Sequence, residues 1–290
     1  MNKKHGAWSK NEKIFLGLLA PILVLFFCFN TLPLIKGFYY GLTNFRGYGS
    51  YDFVGLRNFA EIFQDSRVGH SYLFTFKYAL VMTIVVNLLS LILALGLNSK
   101  IRGKNALRGV YFVGGLVVGY IFSFIFTYIL PTIGEVTGID FLKTSLLGST
   151  KWAWIAIVIV GAWQGIAMNT IIYISGLQTV PEEVYEACML DGASGWKKFK
   201  SITLPLIMPF VTINLVLCMK NALMVFDQIM SLTKGGPSQS TESISYLIYN
   251  NGMSGGQFGF QSANAFVFFI VIVAISLFQM KFLGSKEEQL

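Results

Sequence analysis

The sequence predicts an all-α, polytopic membrane protein with six transmembrane helices and both termini in the cytoplasm, and three observations carry that prediction. Of 290 residues, 54% are hydrophobic and 12% charged, with mean hydropathy +0.62, whereas a soluble domain carries about a quarter charged residues. The apolar residues form long uncharged runs without the ten-residue alternation of a membrane barrel, so the backbone groups must be paired within helices. Basic residues, finally, are distributed unevenly between the segments that separate those runs.

Runs of about 20 apolar residues occur over 14–35, 78–97, 110–130, 152–177, 206–229 and 263–282. They define a cytoplasmic N-terminus 1–13, a single membrane domain 14–285 and a short tail 286–290. The first run follows Lys3, Lys4, Lys10 and Lys13 as a signal peptide would, but it is too long for that role and no A-x-A site follows, so it reads as an uncleaved helix. Only the fifth run carries a charge deep inside, Lys220. With the N-terminus inside, the cytoplasmic segments hold thirteen Lys and Arg residues and the longer outside loops hold seven, which fixes the orientation. The net charge of +8 is therefore assigned to the cytoplasmic face and not to nucleic acid.

In the first outside loop, Phe59, Ile62 and Phe63 follow i, i+3, i+4 spacing beside Arg57 and Glu61. That spacing predicts a short amphipathic helix, either on the membrane surface or as an ordinary loop helix. Cys28, Cys188 and Cys218 are far apart and lack metal-ligand spacing, so neither a disulfide framework nor a metal site is expected.

The cytoplasmic stretch 181–205 reads PEEVYEACMLDGASGWKKFKSITLP. Pro181 suits a first helical position, Glu182, Glu183 and Glu186 favour the early turns, and Gly192 allows a sharp turn. Ser194 is placed to cap a second helix ending before Pro205. The result is a helix-turn-helix outside the membrane, with small residues at Ala187, Cys188 and Ala193 for close packing by another protein.

Glu186-Ala187-Cys188, Asp191-Gly192-Ala193, Phe199, Ile202, Leu204-Pro205 and Pro209 resemble the EAA loop of binding-protein-dependent ABC importer permeases. Phe53-Val54-Gly55-Leu56, Asn58-Phe59, Gly176-Leu177-Gln178, Phe226-Asp227, Leu232-Thr233 and Gly235-Gly236-Pro237 are similar to the carbohydrate-uptake branch. Within it they resemble the maltose and glycerol-phosphate permeases, and most closely the raffinose or multiple-sugar type. The resemblance implies the type I transmembrane fold of ABC importers, a multi-pass location in the cell membrane and no enzymatic activity. It also implies a second permease subunit, a cytoplasmic ATPase dimer, an extracytoplasmic sugar-binding protein and a sugar as cargo. Glu186 is then the polar anchor of a coupling helix seated in the ATPase and Gly192 its bend, with Ala187, Cys188, Asp191 and Ala193 completing the motif. Cys188 departs from the usual second alanine. A solvated helix-face carboxylate is the alternative for Glu186.

The chain lacks a G-x-x-x-x-G-K-[ST] phosphate loop, so ATP and magnesium belong to the partner ATPase and no cofactor is expected on this chain. Its two histidines, His5 and His70, lie outside the spans, and no paired intramembrane carboxylates suggest hydrolysis or proton relay. Polar groups within the spans converge on one depth: Asn87 is about 14 Å from the outer end of its run, Gln164 about 18 Å, and Lys220 and Asn221 about 12 to 14 Å. With Trp163 and Asp227, they are candidates for the path of a hydroxyl-rich solute. Interhelical hydrogen bonding is the alternative; it suits Asn87 and Asn169 better, while Gln164 and Asn221 fit both readings. Lys220 either snorkels or pairs with Asp227 two turns along the same helix face. The rival functional class, a self-sufficient secondary transporter or channel, calls for inverted repeats, broken helices or intramembrane carboxylates, none of which is evident.

Overall fold

Apolar runs with their backbone groups satisfied internally become helices, and the described residues contain no strand, only one isolated antiparallel bridge between Thr43 and Phe53. The structure, a computed structural model, describes residues 10–98, 106, 109, 119–190, 192–193 and 195–287. Of the third predicted run, 110–118 falls outside them, as do Asp191, Ser194 and the basic residues Lys3, Lys4, Lys100, Arg102, Lys104 and Arg108.

The helices are α1 (Lys10–Phe26), α2 (Leu32–Gly41), α3 (Arg57–Ile62), α4 (Ser66–Asn98), α5 (Gly119–Phe124), α6 (Leu130–Thr137), α7 (Asp140–Lys143) and α8 (Ala153–Thr179). They continue as α9 (Glu182–Leu190), α10 (Gly195–Lys198), α11 (Leu204–Leu206), α12 (Met208–Leu223), α13 (Asp227–Leu232), α14 (Ile244–Tyr249) and α15 (Phe258–Glu287). Four stretches among the described residues are long and apolar enough to cross a membrane: Gly17–Gly41, Ser66–Asn98, Ala153–Thr179 and Phe258–Gly284. A fifth arises if Gly195–Leu206 and Met208–Leu223, bent by 73°, form one span; Ile121–Thr137 is a shorter apolar helix.

Proline shapes three of these helices in the same way. A proline lacks the N–H that would bond the carbonyl four residues back, and its ring crowds that carbonyl. Two residues before Pro33, Pro131 and Pro205 a π segment ends: Phe27–Thr31, Ile125–Ile129 and Phe199–Thr203. In each, the residue before the proline bonds five residues back, Leu32 to Phe27, Leu130 to Ile125 and Leu204 to Phe199. The helix widens by one residue and continues instead of ending.

The chain divides into two units. The first joins the segment up to Gln64 with Asn251–Val267. There a Cβ on Gly41 would lie 3.1 Å from the Ala263 backbone, so glycine permits the helices to touch. Asn58, buried, donates from Nδ2 to the carbonyls of Gly41 and Thr43, both at 2.8 Å, and ties α3 to the end of α2. Of the two alternatives for this helix the packing favours the ordinary loop helix: Ile62 is buried and Phe59 packs against Phe38 and Phe266, while of the three apolar residues only Phe63 is exposed.

The second unit, Asp65–Asn250 with Phe268–Leu290, packs α4 against α8 and α12. Small residues let the backbones approach: Gly161 faces Tyr78 and Met82, Gly165 faces Val86, and Gly176 faces Phe210. Ala153, Ala156, Ile157 and Val160 on α8 are wholly buried. Ser90 Oγ adds a hydrogen bond to the Ile166 carbonyl at 3.3 Å.

Candidate functional site

Within the second unit, α4, α8, α12 and α13 line a half-open cavity of about 400 Å³. Its polar lining consists of the amides Gln164, Asn169, Asn221 and Gln228 together with Tyr78, among apolar groups such as Met82, Val86 and Leu217, and it includes no charged side chain. Gln228 Nε2 donates to Gln164 Oε1 at 2.8 Å, joining α13 to α8 across one wall. Asn169 Nδ2 bonds the Gly165 carbonyl, and Asn214 Nδ2 bonds the backbone carbonyl of Asn169 at 3.2 Å. The Oδ1 atoms of Asn169 and Asn214 are buried without a hydrogen-bond partner, so unsatisfied acceptors stand in and beside the wall.

Of the sequence candidates, the structure brings Gln164 and Asn221 together in this lining and leaves four outside it. Asn87 accepts the Tyr173 hydroxyl at 2.8 Å and donates to the Thr83 carbonyl, so it joins α4 to α8. Trp163 is 43% exposed, its ring edge-on to Phe122 at 6.3 Å. Lys220 and Asp227 are exposed and sit on different helices, which corrects the single fifth helix expected over 206–229. That run bends at Ile207 and breaks again after Leu223. The break also overturns the expectation of unbroken spans. No ion pair joins the two charges; Lys220 stands in the last turn of α12 and Asp227 in the first turn of α13, where the helix dipoles favour a cation and an anion respectively.

Gln228, like Tyr78, is a polar lining residue that the sequence reading missed. It follows the break Met224-Val225-Phe226, which contains no glycine or proline to announce it. The break is held by its surroundings. Ser243 Oγ donates to the Val225 carbonyl at 2.8 Å and caps α14 by accepting the Tyr246 N–H. The segment after α13 is folded on itself through Thr241 Oγ1, which bonds Thr233 Oγ1 and the Gly236 carbonyl. Glu242 is 3% exposed, and Arg67 on α4 grips it with Nε and Nη2, each at 2.8 Å. Burial raises the Tyr246 phenol above its ordinary range, and the Glu242 carboxylate adds to the effect.

The loop 181–205 carries the other candidate residues. Helix α9 turns Val184 and Tyr185 onto a cluster of Ala94, Tyr173, Ile174, Leu177, Val180 and Ile207, while Glu186 and Ala187 remain exposed. Cys188 is buried, 3% exposed, which corrects its expected place on a docking surface. It faces into the chain, with Sγ 3.7 Å from the Ala193 carbonyl oxygen. The helix ends in a Schellman turn: the Ala193 N–H bonds the Cys188 carbonyl and the Gly192 N–H that of Met189, both at 3.1 Å. Gly192 occupies the left-handed position of that turn at φ +72°. Leu190 and Trp196 flank it, 89% and 73% exposed.

Long apolar helices thus line an uncharged amide-bearing cavity, and a capped surface helix is rooted on the same bundle. Residues 86–286 match the family of binding-protein-dependent transport system inner membrane components, and the chain belongs to it. The multiple sugar-binding transport system permease protein of Streptococcus mutans is 38% identical over 271 residues, covering 91% of this chain and 92% of that protein. The probable starch degradation products transport system permease protein of Thermoanaerobacterium thermosulfurigenes is 32% identical over 289 residues, 98% of both chains. Among solved structures, a chain of a bacterial ABC transporter involved in alginate import has the same fold, with TM-score 0.82, 20% identity and coverage of 95% of this chain and 96% of that one.

Proposed function

We propose that this chain is one of two transmembrane permease subunits of an ATP-driven, binding-protein-dependent importer of sugars, of the raffinose or multiple-sugar type, in the cell membrane. The observation that carries this reading is the cavity of about 400 Å³ whose polar lining is amide and phenol without a charged side chain. Amides both donate to and accept from hydroxyl groups, and relatives that align over at least 91% of the chain are named for sugars and starch products. In this reading all six apolar runs cross the membrane and both termini are cytoplasmic. A second permease subunit completes the path, an extracytoplasmic binding protein delivers the sugar, and a cytoplasmic ATPase dimer binds ATP and magnesium. Glu186 and Ala187, exposed on α9, meet that ATPase, and the Schellman turn at Gly192 holds the helix at a fixed angle. The cavity then opens alternately to each side as the ATPase closes and reopens.

The break at 224–226 is a feature that a self-sufficient secondary transporter would share, so the test must separate the two. Oligosaccharide uptake is measured in vesicles holding the complete transporter, with and without ATP and binding protein, at matched membrane abundance. Uptake should require ATP, be lost in Glu186→Ala and fall about tenfold in Gln164→Leu and Asn221→Leu, the scale of one lost polar contact to the solute. Uptake by the isolated chain without ATP would sink the importer reading. Wild-type uptake in both cavity variants would remove the cavity from the path.

A further inference from the structure

We infer that the Arg67–Glu242 ion pair is a positioning device that sets the outer wall of the amide-lined cavity by holding α13, and with it Gln228, in register. The inference rests on reading that cavity as the solute path. Its geometry runs through three consecutive residues. Thr241 bonds Thr233, which directly follows α13, and Ser243 bonds the carbonyl of Val225, just before it. Both ends of α13 are thus held by the two neighbours of Glu242 in sequence. Glu242 is anchored to α4 by the two bonds from Arg67, and Ser71 Oγ lies 3.5 Å from its carboxylate. The adjacent Ile244 N–H adds a bond to Thr75 Oγ1 at 3.0 Å. Helix α4 also supplies Tyr78, Met82 and Val86 to the cavity, so the pair ties the wall bearing Gln228 to the wall built by α4.

A carboxylate 3% exposed is an expensive way to fasten a loop, since an apolar pair of similar volume is often as stable or more so. What an ion pair adds is direction: two parallel bonds from one guanidinium admit one orientation of the carboxylate. Arg67 and Glu242 touch no solute in this scheme; they act through Thr241, Ser243 and α13.

The test is a distance measurement inside the complete transporter in membrane vesicles. Gln164→Cys and Gln228→Cys are introduced together in a chain with Cys28, Cys188 and Cys218 replaced by alanine, and joined with a short bifunctional thiol reagent. Cross-linking is expected to fall at least about tenfold in Arg67→Glu and in Glu242→Arg, because each reversal leaves a buried charge facing a like charge. It should recover when both changes are made in one chain. Wild-type cross-linking in the single reversals overturns the inference, and so does a double exchange no better than either reversal. If the reversals fail to accumulate in the membrane, Glu242→Gln decides: it keeps shape and volume, so reduced cross-linking supports positioning and unchanged cross-linking refutes it. Because the cross-link is read without solute, the two readings fail separately. Lost cross-linking with intact uptake sinks the path and keeps the positioning; uptake that needs Gln164 and Gln228 while cross-linking ignores Arg67 does the reverse.

Discussion

Gly176 lies where α8 meets the first turn of α12, the two helices that flank the exposed loop, and the contact leaves no room for a side chain. A Cβ there would stand 2.6 Å from Phe210 Cγ, 2.7 Å from Cδ2 and 3.0 Å from Cβ. Carbon atoms settle at about 3.5–4.0 Å, so the overlap approaches 1 Å. Turning the ring about χ2 leaves Cγ in place, and no rotation moves the Phe210 Cβ, so α12 itself must yield. Gly176→Ala is therefore expected to cost about 1–3 kcal/mol as overpacking, or about 5- to 150-fold in the population of the intact helix pair. The assay is thermal denaturation of the purified transporter followed by size exclusion, with Phe210→Ala and the double variant completing a cycle. The midpoint should fall by a few degrees in Gly176→Ala. The double variant should be more stable than the sum of the single losses, because removing the ring frees the space the methyl needs. An unchanged midpoint, or strictly additive losses, would show that α8 and α12 are not in the contact described.

Tyr173→Phe should destabilise the complex by about 0.6–1.7 kcal/mol, the range for hydrogen bonds between membrane helices, because Asn87 Oδ1 loses the hydroxyl bonded at 2.8 Å. Sugar uptake should keep its KM, as befits a bond outside the cavity, and a raised KM would place Asn87 on the path after all. Gly192→Ala should cost about 1–2 kcal/mol, because φ of +72° strains an L-residue although nothing lies within 4 Å of the added methyl. Gly192→Asn should recover part of that loss, and ATP-driven uptake should follow the same order; equal uptake in all three would detach the Schellman turn from coupling.

The elements legible in the sequence are those set by local chemistry. Apolar runs marked the long helices, and Gly192 announced the turn that ends α9, because a left-handed Schellman position selects glycine. The prolines at 33, 131 and 205 were also visible, but not their outcome: a widened turn follows only because the helix on both sides is worth continuing. Depth counting along the runs found Gln164 and Asn221. It missed Gln228, because counting assumed one helix through 224–226, and it could not give Cys188 its face, because small residues suit an interface and an interior equally. Glu242 reads as an ordinary loop acid, and its partner is 175 residues away in the chain. Such long-range pairings leave no local pattern.

The break between α12 and α13 lets the chain carry two charges beside the cavity and still keep the lining uncharged. A helix that stops exposes carbonyls, and one that starts exposes N–H groups, which lipid does not tolerate but a polar cavity does. Here Val225 at the break lines the cavity, and its carbonyl is bonded by Ser243. The partial charges of the two helix ends are answered by Lys220 and Asp227, each contributing about 0.3–1 kcal/mol at its own terminus without bonding the other. Full charges thus stay on the helix ends while amides face the cavity. Amides and backbone dipoles can hold hydroxyl groups while fixing no counter-charge in place. For the proposed solute path that balance is the useful one, because a solute must be bound well enough to enter and weakly enough to leave.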